Sequence, residues 1–188
     1  LANNEGMLWL YGRSSGTAPT IFDTIRGANV RLRTDRTAAS GSVSDMMDSF
    51  NSDGFRVGDG TTFNNNTATY VGFTFKSEPK FFDVVTYTGD GNDGRTISHN
   101  LGSTPGMIIV ARRDSTNYWR TWHRSQTGKY ANLYDTVAFA SDSASNGVFN
   151  NYSGNDSTFT AGININANSA TYVAYLFAHN NSDGEFGP

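Results

Sequence analysis

The sequence predicts an all-β fold: two tandem β-sandwich units of jelly-roll type, related by internal duplication. Three observations carry this expectation. Apolar and polar residues alternate with a period of two over short runs, the signature of half-buried strands. Gly, Asn, Ser and Thr are abundant and aromatics make up 13% of the chain, so small residues supply turns while rings supply strand cores. Finally, "TATYVGFTFKSEP" (Thr67 to Pro79) is nearly rewritten as "SATYVAYLFAHNN" (Ser169 to Asn181).

The repeat extends beyond that strand, and self-similarity at a fixed spacing marks repeated architecture. Ala68-Thr69-Tyr70-Val71 matches Ala170-Thr171-Tyr172-Val173 at an offset of 102. "GMLWLYGRSS" (Gly6 to Ser15) aligns with "GMIIVARRDS" (Gly106 to Ser115) at an offset of 100. Phe22 then falls opposite Trp122, and a small insertion brings Ala28-Asn29 opposite Ala131-Asn132. The first repeat is assigned to residues 1–80 and the second to 81–188. At the front, "LANNEGM" sits opposite "LGSTPGM", and the 17 residues "VVTYTGDGNDGRTISHN" (Val84 to Asn100) have no counterpart in the first copy. The front strands of the first repeat are therefore expected to be missing or supplied from elsewhere, with repeat-like sequence preceding Leu1.

Within the second copy, strands are expected at Val84–Thr88 and Arg95–His99, on either side of the turn-rich "GDGNDG". The apolar run Met107–Arg112 and the alternating Trp119–Arg124 follow, then Asn132–Asp135, Val148–Tyr152 and Thr158–Gly162. In the last, Tyr172–Ala178, Tyr172, Ala174, Leu176 and Ala178 share one face while Val173, Tyr175 and Phe177 share the other. Both faces are apolar, as in a central strand covered on each side, and the first copy's "ATYV" is expected to fill the same slot. "SVSDMMDSF" (Ser42 to Phe50) reads as a loop insertion with a short helical turn that Ser44 could cap.

Charge and composition exclude several functions. Fourteen basic against seventeen acidic side chains leave a formal charge of −3, against the clustered Lys and Arg that nucleic acid demands. No apolar run approaches the roughly 20 residues that span a bilayer as a helix. With no cysteine there are no disulfides or thiolate metal sites. His99, His123 and His179 share no metal-ligand spacing, and no phosphate loop or Gly-x-Ser-x-Gly elbow occurs. Glycoside hydrolysis takes two carboxylates across a cleft, and the three Glu residues (Glu5, Glu78, Glu185) fall in linkers. The sequence reads as a non-enzyme with no catalytic residues and no cofactor.

Two stretches are candidate sites. "NYWRTWHR" (Asn117 to Arg124) is the densest aromatic and basic cluster, and an exposed ring beside Arg and Asn makes a sugar platform. Asn117, Tyr118, Trp119, Arg120 and His123 are the candidate ligand-binding residues. Trp122, opposite Phe22, is assigned to the core, whereas Tyr118 and Trp119 suit either core or platform. Pro19 stands opposite Trp119, so such a platform would be private to the second repeat. "GDGNDG" (Gly89 to Gly94) offers Asp90, Asn92 and Asp93 as oxygen ligands for Ca²⁺, but it departs from the helix–loop–helix spacing and reads foremost as a tight hairpin turn.

Several stretches together carry a family resemblance: "YTGDGNDGRTISHNLGSTPGMIIVARRD", "YWRTWHR", "ATYVAYLFAHNNSDGEFG" and "LWLYGRSSGTAPTIFDTIRG". They resemble a tandem-repeat domain of uncharacterised function in large virion proteins of tailed phages, many of them marine. In such repeats an apolar strand ending in basic residues is followed by an aromatic-Asp-Thr-x-Arg-Gly segment. The first copy departs from the pattern where Gly12-Arg13 replaces the pair Arg112-Arg113. The resemblance carries no catalytic residue. It implies a phage appendage such as a tail fibre, tail-associated adhesin or head fibre, hence an extracellular virion location.

The partners expected are other virion proteins, copies of the chain itself in a homo-oligomer, and host-surface glycan or protein. Linked weak sites would gain avidity from effective concentration. The other readings are a capsid decoration or head-fibre protein without receptor role, a glycan-degrading tail enzyme, and a secreted bacterial surface lectin.

Overall fold

The computed structural model describes residues 1, 5–14 and 16–180. The aligned Ala2 to Asn4 and the closing "NSDGEFG" of the quoted motif therefore lie outside the described residues. The chain is all-β and divides into two compact units, Leu1–Lys76 and Ser77–Pro188.

The first unit contains β1 (Gly6–Gly12), β2 (Thr20–Asp23), β3 (Val30–Arg33), β4 (Gly41–Ser42), β5 (Met47–Asn51), β6 (Gly54–Val57) and β7 (Tyr70–Lys76). Five form one antiparallel sheet in the order β4-β3-β2-β1-β7, and β5 and β6 form a hairpin. Leu8, Leu10, Phe22, Met47 and Phe63 form one core cluster, and Met7, Ile21 and Leu32 are also buried. The Phe63 ring sits edge-on to Phe22 (6.4 Å) and to Tyr70 (6.0 Å), an arrangement that suits ring quadrupoles.

The second unit contains β8 (Phe82–Thr88), β9 (Arg95–Ser98), β10 (Pro105–Arg112), β11 (Arg120–His123), β12 (Lys129–Asn132), β13 (Ala140–Ser141), β14 (Thr158–Ala161) and β15 (Thr171–Ala178). Six strands run in the order β13-β12-β11-β10-β15-β8, while β9 and β14 pair separately. Between the two lies a core that includes Ile97 and Phe159 from the small ribbon and Ile108, Val110, Trp122 and Tyr172 from the large sheet. The Trp122 indole N–H donates to the Tyr152 carbonyl (3.0 Å), and the Tyr87 hydroxyl donates to the Ile165 carbonyl (2.7 Å). Each buried polar tip thus keeps a partner.

Strand registers show the duplication residue by residue. Met7 pairs with Asp23 and Leu8 with Phe22 across β1 and β2; Met107 pairs with His123 and Ile108 with Trp122 across β10 and β11. On the other side, Met7 pairs with Phe75 and Gly12 with Tyr70, as Met107 does with Phe177 and Arg112 with Tyr172. One block is realigned. Thr20 pairs with Arg33 and Ile21 with Leu32, where Arg120 pairs with Asn132 and Thr121 with Ala131. Leu32-Arg33, not Ala28-Asn29, therefore stand opposite Ala131-Asn132.

The turn after β2 explains the Phe-Asp-Thr-x-Arg-Gly segment. Asp23 accepts from the Arg26 backbone N–H (2.8 Å) and meets the Arg26 guanidinium, whose Nη1 and Nη2 also donate to the carbonyls of Val30 (3.1 Å) and Ile21 (3.3 Å). Gly27 closes the turn at φ +91°, a conformation that favours glycine. In the second unit His123 replaces Asp23, and its Nδ1 accepts from the Ser125 N–H (3.3 Å) to cap a 3₁₀ turn over Arg124–Gln126. The segment is structural.

Four further expectations are corrected. Asn132–Asp135 is a turn, closed by Asp135 N–H to the Asn132 carbonyl (3.2 Å), and the strand runs Lys129–Asn132 instead. Val148–Tyr152 is also a turn. Asn150 and Asn151 adopt φ of 48° and 55°, and the Asp142 carboxylate accepts from Val148 N–H (2.8 Å) and Phe149 N–H (2.9 Å). Its apolar side chains still reach the core, which is why the stretch reads as a strand. Within Ser42 to Phe50, Met47 begins β5, because the two-residue Ser52-Asp53 turn lets it pair with β6 and bury its thioether.

The fourth correction concerns β7. β15 is buried on both faces between β10 and β8. Among the described residues β7 has β1 as its one sheet neighbour, and Phe73 is 55% exposed where its counterpart Tyr175 is 0%. The same sequence motif is a central strand in one unit and an edge in the other.

Candidate functional site

The candidate site lies on the second unit, where β11 and β12 pair and Leu133 to Phe139 loops back to β13. Strand alternation sends Arg120 and Trp122 to one face of β11 and Trp119, Thr121 and His123 to the other. Tyr118 lies just before β11 and is 45% exposed, its backbone N–H held by the Asn117 side-chain oxygen (2.8 Å). The Tyr118 ring stacks on Tyr134 with centroids 5.8 Å apart and planes inclined by 23°.

Arg120 organises the floor. Its guanidinium carbon lies 4.8 Å from the Tyr118 ring centre and 5.0 Å from that of Tyr130, within the range of cation–π attraction. Its Nη1 donates to the Asn132 side-chain oxygen (2.8 Å), and Asn132 Nδ2 donates to Asp135 (3.5 Å). Asp135 also accepts from the Val137 N–H (3.3 Å). Loss of solvation, with neighbouring Tyr118 and Asp135, pushes the Tyr134 hydroxyl above its ordinary value.

Tyr118, Arg120, Tyr130, Asn132 and Asp135 line a cleft of about 380 Å³ that also admits the exposed Val137, with Tyr134 backing the Tyr118 ring. Its chemistry is mixed: two flat rings and small apolar groups beside one guanidinium, one amide and one carboxylate. Ring faces can stack on C–H groups, while Asn132 and Asp135 can fix hydroxyls.

Of the residues that sequence reasoning nominated, the structure brings Tyr118 and Arg120 to this cleft, with Asn117 beside them. It removes Trp119 and His123. Trp119 is 1% exposed and points to the opposite face of the sheet, and His123 spends its Nδ1 on the cap at Ser125. Trp122 is core, at 1% exposure. Tyr130, Asn132, Tyr134 and Asp135 were missed. The signal lay in "KYANLYD", where Tyr130 and Asn132 stand two apart on one strand face. Expecting the strand at Asn132–Asp135 hid it.

The first unit carries a hollow of about 240 Å³ at the matching place, with Ala18, Thr20, Arg31 and Arg33 where the second has Tyr118, Arg120, Tyr130 and Asn132. It has no ring, and Arg33 is engaged by Asp35 (2.6 Å). The aromatic cleft belongs to the second repeat.

The "GDGNDG" stretch does not close a hairpin, since β8 pairs with β15 and β9 with β14, and its carboxylates serve the protein's own N–H groups. Asp90 accepts from the backbone of Asn92 (2.9 Å) and the amide of Asn166 (2.6 Å). Asp93 accepts from the backbone of Asn146 (2.7 Å), the amide of Asn150 (2.9 Å) and the backbone of Ile163 (3.0 Å). These donors hold both carboxyls below the ordinary carboxylate range. Asn92 likewise uses its carbonyl on Asn166 (2.7 Å). Among the described residues no group of three or more His, Cys, Asp or Glu could hold a metal.

Comparison with known proteins gives one family. No curated protein and no solved structure matches the chain. A single family profile, described as a domain of unknown function (DUF7483), matches twice, over residues 2–80 and 79–187. The chain belongs to this DUF7483 family and carries the domain as a tandem pair.

Proposed function

We propose that the chain is a phage virion structural and adhesion module, part of a tail fibre or similar appendage, that binds host-surface glycan through the cleft of its second repeat. The observation that carries the reading is the cleft itself, with Tyr118 and Tyr134 stacked beside the Arg120–Asn132–Asp135 chain. Sugars are recognised by such a pairing of ring faces with a few fixed polar groups. Among the described lining residues Asp135 is the one carboxylate, which favours binding over hydrolysis, since hydrolysis takes two. The virion setting rests on the motif resemblance, and the tandem repeat suits an extended particle fibre.

The test is NMR titration of the full chain with neutral and acidic host-surface oligosaccharides. Selective shifts at Tyr118, Tyr130 and Tyr134, lost in Tyr118→Ala and in Asp135→Ala, support the reading. Shifts elsewhere, or none with any glycan, defeat it. Antibody labelling of intact particles tests the virion location separately.

A further inference from the structure

The two units share β-strand registers, yet among the described residues one sheet has a strand that the other lacks. In the second unit β8 covers the outer edge of β15 over seven residues, from Thr171 opposite Thr88 to Phe177 opposite Phe82. Tyr87 stacks on Tyr172 with centroids 5.1 Å apart and planes 15° from parallel, and Phe82 lies 5.1 Å from Phe177. In the first unit the matching strand β7 ends its sheet.

The open edge adjoins an apolar hollow of about 390 Å³, lined by Trp9, Tyr11, Pro19, Phe73 and Phe75. Their register counterparts are Ile109, Ala111, Trp119, Tyr175 and Phe177. Four of those five are at most 2% exposed, whereas Tyr11 is 45% and Phe73 55% exposed. A sheet edge invites pairing by its backbone polar groups, and an apolar face beside it adds side-chain pockets.

We infer that the edge of β7 receives a leading strand of the β8 type from another repeat of this family. It pairs antiparallel, in the register that β8 takes on β15. The template specifies the occupant. A residue of the Val84 kind falls opposite Phe73, and a tyrosine of the Tyr87 kind falls opposite Tyr70 and stacks on it. A slip of one residue would turn the donor's core side chains outward, so the register is strongly selected. This inference is independent of the glycan reading, which concerns the other unit.

The experiment grafts a second copy of Phe81 to Asn100 ahead of Leu1, the place that segment holds ahead of Leu101. Hydrogen exchange of the full grafted chain should slow alternate amides of Tyr70 to Thr74 by at least about tenfold. Dye binding to the apolar hollow should fall. The chain has no cysteine, so a pair can report register. Phe73→Cys with Val84→Cys in the grafted copy should oxidise to a disulfide, and Gly72→Cys with the same partner should not. Unchanged exchange at Tyr70 to Thr74, or cross-linking through Gly72, would overturn the inference. So would protection of the same amides in the ungrafted chain that rises with its concentration, since the occupant would then be β7 of a second copy.

Discussion

Asp23 and Arg26 form an ion pair in which neither side chain is exposed to solvent, in the turn that leaves β2. A buried charge is tolerable only while its partner and hydrogen bonds remain, and here Arg26 also satisfies the Val30 and Ile21 carbonyls. Arg26→Met should therefore destabilise the first unit by about 3–5 kcal/mol, since it strands a buried carboxylate. Adding Asp23→Asn should recover part of that loss. Denaturant unfolding of the single and double variants measures both, and an unaltered midpoint in Arg26→Met would show the pair to be dispensable.

Tyr172 and Tyr70 are the same residue of the repeat in different surroundings. Tyr172 is fully buried and its hydroxyl accepts from the Ala167 N–H (3.1 Å), while Tyr70 is half-buried on an edge strand. Tyr172→Ala should cost about 3–5 kcal/mol, in the range of large-to-small core changes. Tyr70→Ala should cost clearly less. Equal losses in calorimetry would contradict the edge assignment of β7.

Trp119 and Tyr118 are neighbours in sequence with opposite fates, one buried at 1% exposure and the other lining the cleft. Trp119→Ala should destabilise the second unit by about 3–5 kcal/mol, because it empties a buried indole volume. Tyr118→Ala should leave the melting midpoint within a few degrees of the parent and act on ligand binding alone. Circular dichroism melts of the two variants separate the roles; a folding defect in Tyr118→Ala would move that residue into the core.

His99 makes the second unit sensitive to mild acid. It is 6% exposed, and its Nδ1 accepts from the Leu101 N–H (3.3 Å), a bond that protonation abolishes. Burial pushes the imidazole below its ordinary 6.5, and Asp83 opposes only part of that shift. Below pH 6.5 the unfolded chain therefore binds a proton that the folded unit resists. Stability is complete above that pH and declines as the pH falls toward the folded value. Unfolding midpoints between pH 7.5 and 5.5 should drop in the parent and flatten in His99→Gln. A parent profile that is level across this range would remove the effect.

The short period-two runs, the offset near 100 and the matching "ATYV" blocks determined an all-β duplicated chain. Those signals are local, arising from side-chain alternation along one strand and from copied sequence. Tyr118 and Arg120 were legible for the same reason, as neighbours in one aromatic and basic run. Only the tertiary structure decided what each strand meets. It made Val148–Tyr152 a turn, because Asp142 reaches across to take its N–H groups. It assembled Tyr130, Asn132, Tyr134 and Asp135 around Arg120, because strand pairing joins residues that sequence holds apart. It also placed one copy of a shared motif inside a sheet and the other at an edge. Burial belongs to the neighbours a strand acquires, and no strand encodes its neighbours in its own residues.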